Sequence, residues 1–335
     1  MKNVKVIFML WMAIALVALT ACSTGTAEPT KAPAQTEGAA QEDKSAEPDK
    51  TDKKVIIGLT VQNLSNPFFV AMSKGAADAA KSHGAEVITV SAEGDLTKQT
   101  AQIEDFITKK VSMILLNPVD SKGIAGAVAE AKEAGIPVIA VDAGADGGVS
   151  SFVESDNYLA GKLAGEYVVK RLGGKGNVVI LSGNPVTVIK DRVGGFEDAI
   201  KSSPGIKVVA TQNGQGGRET SVTVMENILQ ANGKGEIDAV YAINDPSAIG
   251  AKIAAEQAGR DKEMIIVGVD GAPDAVTALK EKKSFVASSA QHPYDIVQKG
   301  VEVGFKIMNG EKVDEHIKIP VELITQDNVD SYKGW

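Results

Sequence analysis

The chain has 335 residues, 44% of them apolar and only 4% aromatic, with a formal net charge of −8. That length exceeds one small domain and accommodates two. The acidic balance argues against nucleic acid as a partner and against docking on a membrane through a broad basic surface.

The first residues read as an export signal. Lys2 and Lys5 precede an apolar run from Val6 to Leu19, followed by Thr20-Ala21-Cys22. A short basic start, an apolar core and small residues at a cleavage point make a signal peptide, here residues 1–21. The run is also short for a membrane span, which needs ~20 apolar residues. Cys22 is the only cysteine, so no internal disulfide is possible. Its flank, Leu19-Thr20-Ala21-Cys22, resembles the bacterial lipobox, in which the cysteine is acylated and becomes the mature N-terminus. Residues 23–53 hold no Val, Ile, Leu, Phe, Tyr or Trp. Such a segment buries too little apolar surface to offset its ordering entropy, so 22–53 is expected to be a lipid-anchored, disordered tether. Its length mildly favours the outer face of a single-membrane cell over a periplasm.

From Lys54 onward, short β-branched runs alternate with helical periodicity. The predicted strands are Val55–Leu59, Val87–Val90, Met113–Leu116, Val138–Val141, Val178–Leu181, Lys207–Ala210, Ala239–Ile243 and Ile265–Val269. They are apolar on both faces, as parallel strands covered by helices are. Between them, Ile103, Phe106 and Ile107 share one helical face. So do Ile124, Val128 and Ala131, and Leu159, Leu163 and Tyr167. Asn66-Pro67 marks a helix start, and Gly135-Ile136-Pro137 a helix stop before a strand. The alternation predicts an α/β protein with right-handed crossovers: two similar doubly wound parallel-sheet lobes, four strands in each.

In open α/β sheets, ligands bind beyond the C-terminal ends of the strands. Asn117-Pro118, Asp142, Asn184, Asn244-Asp245 and Asp270-Gly271 all occupy that position. One such Asp is ordinarily a helix cap. Recurrence in both halves points instead to a cleft of paired donors and acceptors, which suits adjacent hydroxyls on a sugar or polyol. Phe68-Phe69 adds an aromatic wall able to pack against the C–H face of a sugar ring.

The segments Asn66-Pro67-Phe68-Phe69, Leu116-Asn117-Pro118-Val119-Asp120-Ser121, Glu154-Ser155-Asp156-Asn157, Ala242-Ile243-Asn244-Asp245, Val267-Gly268-Val269-Asp270-Gly271 and Ala290-Gln291 follow one another between about Lys54 and about Thr325. In this order they resemble ribose-binding proteins of the type I periplasmic binding protein family, the receptors of ABC sugar importers. The resemblance implies lobes at 54–156 plus 292–322 and at 157–291 plus 323–335, joined by a three-segment hinge that closes over ligand. It also implies ligand contacts from Asn66, Phe68, Phe69, Asp142, Lys190, Asn244, Asp270 and Gln291, and delivery to a membrane permease by a monomeric receptor. Ribose binders carry Arg where this chain has Ala143 and Lys190, and Phe where it has Gly216. Lys cannot reproduce an Arg fork, so a hexose, an inositol-like cyclitol or a modified pentose is expected before ribose itself.

Other functions find less support in the residues. His83, His292 and His316 are the only histidines, and none has metal-ligand spacing, so neither metal nor cofactor is expected. Asp142 and Asp270 could form a glycoside-cleaving pair, but nothing supplies the remaining roles, and the chain is read as a non-enzyme. Gly173-Gly174-Lys175-Gly176 and Gly214–Gly217 match no phosphate-binding motif. A repressor of this core fold would need a DNA-binding headpiece where the signal and tether lie. The same receptor could instead report to a sensor kinase or chemoreceptor, or bind a furanose-like signal.

Overall fold

The computed structural model describes residues 54–184 and 186–335. The signal peptide, Cys22 and the tether read from the sequence lie outside the described residues. Asp52–Trp335 forms one compact unit. No helix among the described residues is long and apolar enough to cross a membrane.

The first half runs β1 (Ile56–Val61), α1 (Pro67–Ser82), β2 (Glu86–Ser91), α2 (Leu96–Thr108), β3 (Met113–Leu116), α3 (Ala125–Glu133), β4 (Val138–Val141) and β5 (Ser151–Ser155). The second runs α4 (Asn157–Leu172), β6 (Lys175–Ser182), α5 (Thr187–Lys201), β7 (Gly205–Asn213), α6 (Arg218–Ala231), β8 (Ala239–Ala242), α7 (Asp245–Gln257), β9 (Ile265–Asp270), α8 (Pro273–Lys280) and β10 (Phe285–Ala290). Then follow α9 (Pro293–Met308), β11 (His316–Ile319), β12 (Glu322–Thr325) and a 3₁₀ turn, Val329–Ser331.

Two six-stranded sheets result, ordered β11-β5-β4-β3-β1-β2 and β12-β10-β9-β8-β6-β7. All pairings are parallel except β10 with β12. The chain therefore passes between sheets three times: at Asp156, between Ala290 and Pro293, and at Pro320-Val321.

Each sheet is filled on both faces by the period-two alternation of its strands. Ile57, Leu59, Met113 and Leu115 enter the core under α1 and α9, while Ile114 and Leu116 enter the core under α2 and α3. In the second sheet Val179 and Leu181 point one way, and Val178 and Ile180 the other. Four helix starts are fixed by side chains. Asp95 accepts from the backbone N–H groups of Thr97 and Lys98, and Asp156 from that of Leu159.

Two expectations need correction. Each sheet has six strands, not four. Strands β5 and β10 escape an apolar-run criterion because they bury Ser151, Glu154, Ser155, Ser288 and Ser289. Strands β11 and β12 are four residues each and partly exposed. The buried face of α4 is also not Leu159, Leu163 and Tyr167, which are half-buried, but Ala160, Ala164 and Val168 with Gly161 and Gly165. Close approach of α5 selects the small residues. A Cβ on Gly161 would lie 1.9 Å from the Arg192 carbonyl oxygen, and one on Gly195 would lie 2.1 Å from that of Tyr158.

Candidate functional site

A cleft lies between the sheets, with about 100 Å³ of interior space. Since one water needs roughly 10–15 Å³ by this measure, the space holds about seven to ten waters and suits a small molecule rather than a polymer. From the first lobe it is lined by Asn66, Phe68, Phe69 and Asp142, and from the second and the hinge by Arg192, Asn244, Asp270 and Gln291. Seven of the eight residues expected from the sequence thus meet in one place.

Asn66 and Asn244 each cap a helix and line the cleft. The Asn66 side-chain oxygen accepts from Phe68 N at 2.9 Å, and that of Asn244 accepts from Ser247 N at 3.0 Å. Asn244 Nδ2 also donates to the Gly216 carbonyl at 2.9 Å. The capping bonds lock both amides in place and leave N–H groups to serve a ligand. Phe68 and Phe69 are buried and pack edge to face, centroids 5.6 Å apart.

Asp142 sits at the tip of a tight three-residue turn. Ala143 N donates to Val141 O at 2.9 Å, and Asp142 has φ 68°. Asn117 Nδ2 donates to its Oδ2 at 2.9 Å, while Oδ1 is buried with no partner among the described residues. Burial pushes the Asp142 carboxyl up to about 7, against the pull of the Arg192 charge.

Asp270 ends β9 with φ 136°. Gln291 Nε2 donates to its Oδ1 at 2.7 Å, and Asp245 N to its Oδ2 at 3.3 Å. A carboxylate only accepts, so the Gln291 amide must turn its nitrogen to Asp270. That leaves Gln291 Oε1 buried and unpartnered. Burial raises Asp270 to about 6, again opposed by Arg192. Beneath it, Asp245 is held by Ser288 Oγ at 2.7 Å and Ala272 N at 2.8 Å, and burial raises it well above the carboxylate range.

Lys190 departs from expectation. It is exposed and lines an outer groove with Ser182, Val193 and Glu197. Arg192 enters the cleft instead, because residues two apart on a helix point to opposite sides. Arg192 is buried. Its Nε donates to Asn157 Oδ1 at 2.8 Å, its Nη1 to Ile243 O at 2.8 Å, and Nη1 lies 3.7 Å from Asp270 Oδ1. Asn157 Nδ2 in turn donates to Glu154 Oε2 at 2.9 Å, and Glu154 Oε1 lies 2.7 Å from His316 Nε2. A chain of polar contacts therefore runs from β11 at the hinge to the cleft. The sequence places Lys190 and Arg192 on opposite sides of one helix, and only the packing of α5 decides which side faces the cleft.

The two remaining departures from ribose binders gain a physical reading. Ala143 is fully buried in an apolar seam with Val186 and Val188 of the other lobe. Beside it Gly144 N donates to Thr187 Oγ1 at 3.3 Å and Thr187 N to Ser121 Oγ at 3.4 Å, so the lobes meet at the cleft rim. Gly216 has φ 70°, a conformation that disfavours any larger residue there.

Two α/β lobes, three crossings and an acceptor-rich cleft between them define a two-lobed binding protein. Residues 57–312 match the model of the periplasmic binding protein domain. The chain is 38% identical over 276 residues to the ribose import binding protein RbsB of Bacillus subtilis, covering 82% of this chain and 88% of that protein. Among solved structures it is similar to an ABC transporter periplasmic solute binding protein from Actinobacillus succinogenes with bound D-allose. There the TM-score is 0.78 and the identity 31%, covering 83% of this chain and 100% of the other. A solute binding protein from Bacillus halodurans with bound myo-inositol gives TM-score 0.78 and 32% identity, over 84% and 97% of the two chains. The chain belongs to the type I periplasmic binding protein family, in its ribose-binding branch.

Proposed function

We propose that this protein is an extracytoplasmic receptor that captures one monosaccharide or cyclitol between its lobes and presents it to the permease of an ABC importer. The observation that carries the reading is the pair of buried, unpartnered acceptors, Asp142 Oδ1 and Gln291 Oε1, in a cleft that also holds Asp270 and Arg192. Buried polar atoms without partners are costly, and a molecule rich in hydroxyl donors removes that cost. Phe68 and Phe69 supply the apolar wall for its C–H face.

Asn66, Phe68, Phe69, Asp142, Asn244, Asp270 and Gln291 are the proposed ligand contacts, with Arg192 in place of Lys190. The proposed lobes are 54–156 plus 292–322 and 157–291 plus 323–335. Export by the signal peptide 1–21, followed by acylation at Cys22 with a tether over 22–53, would hold a monomeric receptor at the outer face of the cytoplasmic membrane or in the periplasm. The apolar Ala143 seam and Gly216 continue to favour a hexose, a cyclitol such as myo-inositol, or a modified pentose over ribose. Of the relatives named above, those with bound D-allose and myo-inositol fall in that range, and the 38% identical one is a ribose import binding protein.

The test is a thermal-shift panel of pentoses, hexoses, inositols and sugar alcohols on residues 54–335. A ligand at about 100 times its dissociation constant stabilises by about 2.7 kcal/mol, a clear rise in Tm. Silence across the panel on folded protein overturns the sugar reading and favours a sensor for another class of molecule.

A further inference from the structure

The segment after β12 returns to the hinge and ends its course behind the cleft. Its last described side chain, Trp335, touches both lobes. The indole lies edge to face on Phe68, with centroids 5.6 Å apart and planes at 86°. Its Nε1 donates to the Asp270 carbonyl at 3.0 Å. It packs against the core of the first lobe that holds Phe68 and Val297, and against the core of the second that holds Ala272 and Ile324. The segment itself is fixed to the second lobe: Val329 is buried in that core, and the Tyr332 hydroxyl sits so close to Gly271 that a Cβ there would lie 2.6 Å away.

These contacts fall on two groups that the cleft depends on. Phe68 is a wall of the cleft. Asp270 holds a strained backbone, and its carbonyl already accepts from Gln291 N at 2.9 Å. Strain of this kind, of order 1–3 kcal/mol, persists only where surrounding contacts over-determine the conformation. The Trp335 indole supplies one of those contacts. Because it is carried by one lobe and packs on an aromatic ring of the other, separating the lobes at this point would break its contact with Phe68.

We propose that Trp335 is a positioning residue of the cleft, pinning Phe68 of the first lobe to Asp270 of the second and biasing the lobes toward the closed arrangement. The inference rests on the sugar-receptor reading for its ligand. Binding requires the closed arrangement, so lowering its population weakens apparent affinity in proportion.

The test uses residues 54–335, in which Trp335 is the only tryptophan, Trp11 being the other in the chain. D-Ribose, D-allose and myo-inositol are titrated by calorimetry into the wild type, Trp335→Phe and Trp335→Ala. Trp335 emission is followed in the wild type, and small-angle scattering compares all three proteins without sugar. The expected result is ~10-fold weaker binding for Trp335→Ala with most of the loss recovered by Trp335→Phe. A sugar-dependent change in Trp335 emission and a larger radius of gyration for Trp335→Ala complete the expectation. Equal affinity in all three proteins with unchanged emission overturns it. If no sugar binds the wild type, the ligand reading fails separately, and scattering decides the inference: unchanged lobe opening in both variants overturns it.

Discussion

Asp142 follows β4 in the first sheet and Asp270 ends β9 in the second, with φ 68° and 136°. The two carboxylates occupy the same topological place in two similar lobes, yet their surroundings differ. Asp270 is nearly saturated by Gln291, the Asp245 amide and the nearby Arg192 charge. Asp142 has one side-chain donor, Asn117, and one orphaned oxygen. Asp270 is therefore a charge-compensated carboxylate whose side of the cleft leaves its orphaned acceptor on the neighbouring Gln291 Oε1, whereas at Asp142 the orphan sits on the carboxylate itself and is completed by what the cleft binds. This division suits a receptor in which ligand helps to make closure favourable, since a hydroxyl donor removes the cost at Asp142 and at Gln291.

Removing the charge-compensated carboxylate gives the largest effect. Asp270→Ala takes away two or more charge-assisted hydrogen bonds at about 1.5–3 kcal/mol each, and it strips Arg192 of its nearest carboxylate. Binding should fall more than ~100-fold by calorimetry, with a lower Tm. Retained affinity would overturn the placement of the site.

The carboxylate with the orphaned oxygen should show itself through pH. Asp142 stands at about 7 in the fold, against ~3.9 in an unfolded chain. The folded protein thus holds more protons between these values, and the contribution of this group to stability falls as pH rises from 4 to 7. Hydroxyl donors favour the ionised carboxylate, so binding should release a proton and tighten as pH rises toward 7, by at most about tenfold per unit. Asp142→Asn should weaken binding by about tenfold to a hundredfold and flatten this pH dependence, read by calorimetry in buffers of different ionisation enthalpy. A wild-type affinity independent of pH between 5.5 and 8 would overturn Asp142 as a raised carboxyl that ionises on binding.

The smallest effect tests the helical-phase correction. Lys190→Ala should leave affinity within about twofold and stability within ±0.5 kcal/mol, because the side chain is exposed in an outer groove. A loss comparable with that at Asp142 would return Lys190 to the cleft.

Much of the architecture was written locally. Met113–Leu116 and Val138–Val141 are apolar on both faces, and each is a strand with the bounds read from the sequence. Asn66-Pro67 opens α1 because the amide caps and the proline needs no donor. Strands β5 and β10 were hidden because most of their buried polar side chains, Ser151, Glu154, Ser288 and Ser289, reach partners far away in sequence, while Ser155 Oγ is buried with no partner among the described residues. Ser289 Oγ donates to Ala160 O and Ser288 Oγ to Asp245 Oδ1, pairings that no local pattern records. The α4 stripe was misjudged for a related reason: size decides the face only when the neighbouring helix is known, and α5 comes near enough at Gly161 and Gly165 to leave no room for a Cβ.

The sequence by itself determined the alternation of strands and helices, the family and seven of the eight expected cleft residues, because periodicity, capping and ordered motifs act over a few residues at a time. Tertiary structure alone decided that Arg192 and not Lys190 faces inward, that Asp142 and Asp270 carry positive φ, that one oxygen of Asp142 is stranded, and that Trp335 spans the lobes. Each of these depends on groups distant in the chain being brought within a few ångströms, where burial and partner geometry, rather than residue type, set the energy.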